Sequence, residues 1–460
     1  VLLDPVLERR VNLLYTVFED ADAICRSARI ENAGTEALDL TAALSASLEM
    51  DAEELEVITL HGSWAREQTI DRRPLRPGRQ GTFSLRGISS HQFHPFLALC
   101  EPTATQERGL VYGMSFVYSG NFLAQAETDQ YRRVRAVLGI HPDSFQWRLE
   151  PGASFQTPEA ALVCSDSGLG GMSRTYHDLF RRHLIRGQKK HRPALLNSWE
   201  ACYFDFDHER LLQLGREAAR YGIELLVVDD GWFGRRDTDT SSLGDWRVDL
   251  KKLPGGLTRL AEELADMGVK LGVWMEPEMI SPDSDLYRAH PDYAMAVPGR
   301  TPTQARCQLV LDLTRKEVRD CVYDQISAVL RSADIRYLKW DMNRPLTDVY
   351  SPSLPPDRQG ETAHRYVLGL YELQERLVTD FPELLLENCC SGGGRFDAGM
   401  LYYSPQIWTS DNAEAVDRLV IQEGAALLYP LSSMGAHVAA CPSHVNGRVT
   451  PFAIRGQVSL

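Results

Sequence analysis

The stretch YLKWDMNR, residues 337–344, starts like a buried strand and abandons that pattern after two residues. Tyr337 and Leu338 are good strand formers. Lys339, Trp340, Asp341, Met342, Asn343 and Arg344 follow at once, bringing two cations, an anion and an amide. Alternation with period two puts Lys339, Asp341 and Asn343 on one side of an extended chain. Leu338 is expected in the apolar layers beneath them. A strand that turns polar at its carboxyl end fits a parallel α/β protein whose site opens there.

The pattern recurs. LLNSW (195–199), ELLVVDDGW (224–232), VKLGVWMEPE (269–278), RYLKWDMNR (336–344), ELLLENCC (383–390), QIWTSDN (406–412) and, more weakly, LSSMGAHV (431–438) are short apolar runs. Helical patterns such as HERLLQLGREAARYG and TRLAEELADMG separate them, the second closed by Gly268. None of these runs leads into the G-x-G-x-x-G of a dinucleotide fold, and SGGGRFD lacks the lysine of a P-loop. A (β/α)8 TIM barrel over 193–460, incomplete at its end, is therefore expected. Before it, runs such as HPFLALCEP and YRRVRAVLGI predict an antiparallel β-sandwich over 1–174. The stretch 175–192, TYHDLFRRHLIRGQKKHR, is expected to be a helical connector.

Composition narrows the function. With 63 acids against 49 bases the net charge is −14, the wrong sign for a nucleic-acid partner. No apolar run reaches a membrane span. Nine cysteines without Cys-x-x-Cys spacing suit a reducing compartment, so a cytoplasmic protein is expected. The chain opens on Val1 inside ordinary folded sequence and reads as an excised piece.

Each strand-like run ends in polar residues: Asn197 and Glu200, Asp229 and Asp230, Glu276 and Glu278, Lys339 and Asp341, Glu387 and Asn388, Asp411 and Asn412. Any one acid there could be a helix cap; repetition over six runs points instead to an acid-rich pocket. Trp199, Trp232, Trp274, Trp340 and Trp408 lie at the same ends. Tryptophan is commonly core, yet aromatic rings among carboxylates and amides suit a sugar, whose apolar face stacks and whose hydroxyls need polar partners. Histidine is scarce at these ends, so no metal is expected. A G-x-S-x-G elbow is absent. Glycoside cleavage needs two carboxyl groups, and Asp341 and Asp411, ending the fourth and sixth runs, are the candidates by spacing. Lys339 would keep Asp341 ionised, while an apolar wall would keep Asp411 protonated.

Taken together, VVDDGWF, GDW, LGVWMEPEM, QLVLDL, KWDMNR, ENCCSGGGRFD and WTSDN resemble the α-galactosidases of glycoside hydrolase family 36, as does HGSWAREQ near residue 61. The resemblance implies a sandwich, a barrel and a small C-terminal β domain, with the opening strands, the last barrel strand and that final domain lying outside this chain. It implies a homotetramer, no cofactor, and hydrolysis of terminal α-galactosides such as melibiose and raffinose with retention. Asp341 matches the nucleophile and Asp411 the acid/base, with carboxyl groups about 5–5.5 Å apart. Asp229 and Asp230 match the acids that hold O4 and O6. Trp274, Arg306, Lys339, Asn343, Cys389, Gly392 and Trp408 match other sugar contacts, and Trp64 a loop that reaches a neighbouring subunit's site. The alternatives are a galactosyl transferase of the raffinose-synthase kind, an α-N-acetylgalactosaminidase, and a non-catalytic galactoside-binding fragment.

Overall fold

The strand Phe96–Cys100 is buried along its whole length, and its alternation shows how two domains share one wall. Leu97 and Leu99 pack with Met114 and Phe116 of the neighbouring strand and with Ala124, Val134, Ala136 and Leu138 of a second sheet. Phe96, Ala98 and Cys100 belong to a different cluster, shared with Tyr176, Phe180 and the barrel's helices. Each large apolar side chain buried this way stabilises the fold by roughly 1.5–3 kcal/mol.

A computed structural model of the chain describes residues 1–51, 54–187 and 191–459. A nine-stranded antiparallel sheet faces a four-stranded one (Ala43–Asp51, Gly78–Ser84, Phe122–Thr128, Arg133–Ile140), which makes the expected sandwich. The helix expected over 175–192 instead spans Gly168–Leu179 and continues as a π turn, Phe180–Leu184. Residues 188–190 of that expectation lie outside the described residues. The early start was hidden by GLGG, which reads as a turn. Glycine is needed there for close approach, because a Cβ on Gly171 would lie 2.2 Å from Ser165 Oγ.

Seven parallel strands follow in chain order: Leu195–Asn197, Leu225–Val228, Lys270–Met275, Ile335–Trp340, Leu385–Asn388, Gln406–Trp408 and Met434–Gly435. The helices His208–Arg220, Gly256–Ala265, Lys316–Ser332, Thr362–Asp380 and Ala415–Ala426 alternate with them. After the third strand a short antiparallel pair, Met279–Ile280 with Leu309–Val310, interrupts the rhythm. No helix among the described residues is long and apolar enough to cross a membrane.

Leu195, Leu225, Val227, Tyr337 and Leu385 form a cluster of their own inside the strands. Gly272 lies against it, since a Cβ there would come within 2.9 Å of Tyr337 Cβ. Leu338, expected in this interior layer, packs outward with Leu226, Val228, Val273 and helical residues such as Leu260 and Ile326. The reason is parity: Tyr337, not Leu338, shares a face with Lys339.

Beneath the strand ends, Glu278 holds three donors at once. Arg395 Nη2 lies 2.7 Å away, Trp340 Nε1 donates at 2.8 Å and Tyr366 Oη at 2.6 Å. Glu278 and Arg395 are both buried, so neither charge can turn to water. Glu278→Ala should strand the Arg395 charge and cost about 3–5 kcal/mol in chemical denaturation. A loss below about 1 kcal/mol would show that the pair does not hold the Trp340 strand.

Candidate active site

The interior face of each strand changes from apolar to polar over its last turn of alternation. Leu225 and Val227 lead to Asp229, Gly272 to Trp274 and Glu276, Tyr337 to Lys339 and Asp341, and Leu385 to Glu387 and Cys389. Parallel pairing in register then stacks these positions side by side.

Asp341 lies at the centre. Trp274 Nε1 and Asn343 Nδ2 donate to its Oδ2 at 3.1 and 2.8 Å. The backbone N–H groups of Met342 and Ser391 donate to its Oδ1 at 2.8 and 3.3 Å. Burial pushes its pKa up, but the Lys339 ammonium, the Cys389 thiol, the Asn343 amide and the Arg306 guanidinium outweigh it, and the carboxyl ends below the ordinary range. Cys389 is thus the cysteine against Asp341, while Cys390 packs in the core. Arg306 is exposed, and Arg306 and Cys307 have φ of +52° and +57°.

Lys339 Nζ pairs with Asp229 Oδ2 at 3.2 Å and lies 5.8 Å from the Trp408 ring centre. Although desolvation opposes its charge, Asp229, Cys389, Asp341 and Glu387 raise its pKa well above the lysine value. Asn197 Nδ2 also donates to Asp229, at 2.6 Å. Asp230 is clamped by Arg236, whose Nε and Nη2 donate to its two oxygens at 2.9 and 2.8 Å.

Asp411 faces this group from the sixth strand. Trp408 Nε1 donates to its Oδ1 at 3.1 Å and Trp64 Nε1 to its Oδ2 at 2.8 Å. Burial pushes its pKa up; the Trp64 hydrogen bond opposes this, the Asp341 charge adds to it, and the carboxyl ends above its ordinary range. Trp64, expected to reach a neighbouring subunit, therefore meets the Asp411 of its own chain. The two-residue turn Trp64–Ala65, with Ala65 at φ +63°, aims the indole inward. Gly392, at φ +83°, allows the turn after Cys390 to pass beside Asp411, because a Cβ there would lie 2.6 Å from the Asp411 nitrogen.

The structure thus brings Asp229, Asp230, Trp274, Lys339, Asp341, Asn343, Cys389, Gly392, Trp408, Asp411 and Trp64 into one site, with Arg306 at its exposed edge. Of the five strand-end tryptophans, Trp274 and Trp408 join this group, Trp199 packs edge-on against Tyr203 and Phe204, and two stand apart. Trp232 donates to the Trp274 carbonyl within the core, and Trp340 faces Glu278 on the outer side. Three further groups belong to the site. Arg236 is one. Glu276 accepts from Gln308, from the Asn343 N–H at 2.5 Å and from Asn343 Nδ2 at 2.9 Å; burial, then Asp341, raises its pKa to about 7. Glu67 is the third, from the N-terminal sandwich. Glu276 stood among the strand-end acids, whereas Arg236 and Glu67 lie outside any strand-end motif.

Residues 154–460 match the Melibiase family model, and residues 1–150 match the glycosyl hydrolase family 36 N-terminal domain. The chain belongs to the Melibiase family. Among Melibiase relatives, alpha-galactosidase AgaA of Geobacillus stearothermophilus is 53% identical over all of this chain, and alpha-galactosidase 1 of Pediococcus pentosaceus 48% identical. The crystal structure of GH36 alpha-galactosidase AgaA superposes with a TM-score of 0.98 over 99% of this chain and 64% of that one. Variants of AgaA have been solved in complex with raffinose and with stachyose. This chain spans 63% of the length of each of those two relatives.

Replacing Lys339 by Met should raise the Asp341 pKa, because the cation favours the ionised form and burial is then unopposed by it. Carboxyl-carbon NMR titration of wild type and variant measures the direction. An Asp341 titration that stays put or moves down would contradict the assignment of Lys339 as its counter-charge.

Proposed function

We propose that the protein is a retaining α-galactosidase that releases terminal α-linked galactose from melibiose- and raffinose-type oligosaccharides. One observation carries the proposal: two carboxyl groups in one pocket have their pKa values pushed in opposite directions. Asp341 is held below the carboxyl range and Asp411 above it, so there is a pH window with Asp341 ionised and Asp411 protonated. That is the pairing a double displacement needs.

In this reading Asp341 attacks the anomeric carbon while Asp411 protonates the departing oxygen. Water then releases galactose from the galactosyl-aspartate, with Asp411 as base. Asp229 and Asp230 take the O4 and O6 hydroxyls, and the Arg236 clamp orients Asp230. Trp274 and Trp408 wall the sugar, with Arg306, Lys339 and Asn343 as polar contacts. Cys389 and Gly392 leave room for a hydroxyl rather than an acetamido group at the sugar's 2-position. The α-galactosidase names of the relatives, and the raffinose and stachyose complexes of AgaA, support the substrate class. Nine unbridged thiols support action in the cytoplasm, and a tetramer is the assembly that the family resemblance favours.

Hydrolysis of an aryl α-galactoside followed by proton NMR should give α-galactose as the first-formed anomer. Release of β-galactose first would overturn retention. Asp341→Ala should lower kcat by at least about 10⁴-fold while the protein stays folded; turnover close to wild type would remove the nucleophile role.

A further inference from the structure

The hairpin of strands Glu56–Ser63 and Arg66–Pro74 belongs to the sandwich domain, yet its tip is fastened to three consecutive barrel residues. Ser410 Oγ donates to Glu67 Oε2 at 2.5 Å. Trp64 Nε1 donates to Asp411 Oδ2 at 2.8 Å. Asn412 Nδ2 donates to the Ala65 carbonyl at 3.2 Å. Glu67 is 1% exposed and its other oxygen accepts from the Ala65 N–H at 3.3 Å. A single carboxyl group therefore ties the backbone of the turn that carries Trp64 to the residue preceding Asp411.

The surroundings leave Glu67 little freedom. A Cβ on Gly392 would lie 3.0 Å from Glu67 Oε1 as well as 2.6 Å from the Asp411 nitrogen, so the glycine backbone is wedged between the two acids. A Cβ on Gly393 would come within 3.4 Å of Glu67 Cγ. On the far side Arg418 Nη1 donates to the Ser410 carbonyl at 3.2 Å, and Arg418 feels the Glu67 charge. A carboxyl group buried to this extent costs stability unless its hydrogen bonds are worth keeping. Its bonds join the Trp64–Ala65 turn to Ser410 and to the Gly393 backbone, the segments that flank Asp411.

We propose that Glu67 is a positioning residue, which fixes the Asp411 carboxyl for proton transfer by holding Ser410 and the Trp64–Ala65 turn in one unit. The sandwich domain then supplies part of the site, and the inference rests on the acid/base assignment of Asp411 made above. Positioning of a proton donor matters most when the leaving group is a poor one. An alkoxide-like sugar leaving group needs the proton, whereas a dinitrophenolate departs with little help.

The test compares kcat/KM of the intact protein for raffinose and for 2,4-dinitrophenyl α-galactoside, in wild type, Glu67→Gln and Ser410→Ala. The amide keeps one accepting oxygen and can meet Ser410 Oγ only as a donor, which reverses that bond and leaves the hydroxyl proton without its acceptor, and Ser410→Ala removes the hydroxyl that Glu67 holds. Each variant should lose about tenfold more on raffinose than on the aryl galactoside, a fraction of the roughly 10²–10⁴ that general acid catalysis contributes. Thermal melting identifies the folded variants, and if Glu67→Gln does not fold, Ser410→Ala decides. Equal losses on both substrates, the mark of a merely structural role, would overturn the proposal, as would no loss on either. A wild-type protein inactive on both substrates would instead remove the glycosidase reading on which it stands.

Discussion

The ammonium of Lys339 lies among Asp229, Asp341, Glu387 and the Cys389 thiol in the upper layer of the barrel. Desolvation works against each of these charges separately. Together they form a network in which the cation offsets several acids, and removing one partner of such a buried set typically costs about 3–5 kcal/mol. Glu387 lacks enough compensation and its pKa is raised by burial, whereas Asp341, with four hydrogen-bond donors and two cations near it, is lowered. The site therefore separates its acids by how much positive charge and how many N–H groups each one meets. That separation lets one carboxyl group ionise while another in the same pocket keeps its proton.

Geometry of this kind needs a rigid frame, and the frame is shared by two domains. Phe96–Cys100 packs on both faces. Ser89 and Ser119 of the sandwich both donate to Asp397, at 2.6 Å each, beside the loop that carries Cys389 and Gly392. The Ser90 N–H meets the Gly394 carbonyl at 2.8 Å. The loop between Asp341 and Asp411 is thus clamped from the sandwich side, and the hairpin at Trp64–Glu67 continues the clamp to Asp411 itself. In this arrangement the N-terminal domain is a wall of the pocket.

Much of this could be read from the chain. All seven barrel strands coincide with apolar runs, because a strand buried on both faces needs nearly continuous Leu, Val and Ile. The strand-end acids were legible for the same reason, as polar residues are costly there unless used. Side-chain facing was less so: Leu338 and Tyr337 are both apolar, and only pairing shows which one looks inward. Trp232 and Trp340 misled because tryptophan serves core and site equally well. Glu67 stood within HGSWAREQ without being singled out, since its meaning comes from Ser410 and Asp411, over three hundred residues away. The helix starting at Gly168 was masked by glycines whose role is close packing against Ser165.

Under the proposed double displacement, Asp341 becomes covalently bonded to the sugar. An activated α-galactosyl fluoride, substituted so that its covalent intermediate breaks down slowly, would trap that bond. Intact mass followed by peptide mapping then locates it. A single added glycosyl group on the peptide containing KWDMNR, placed at Asp341 by fragmentation, is the predicted result. A label on Asp411 or on any other residue, accompanying full inactivation, would contradict the account.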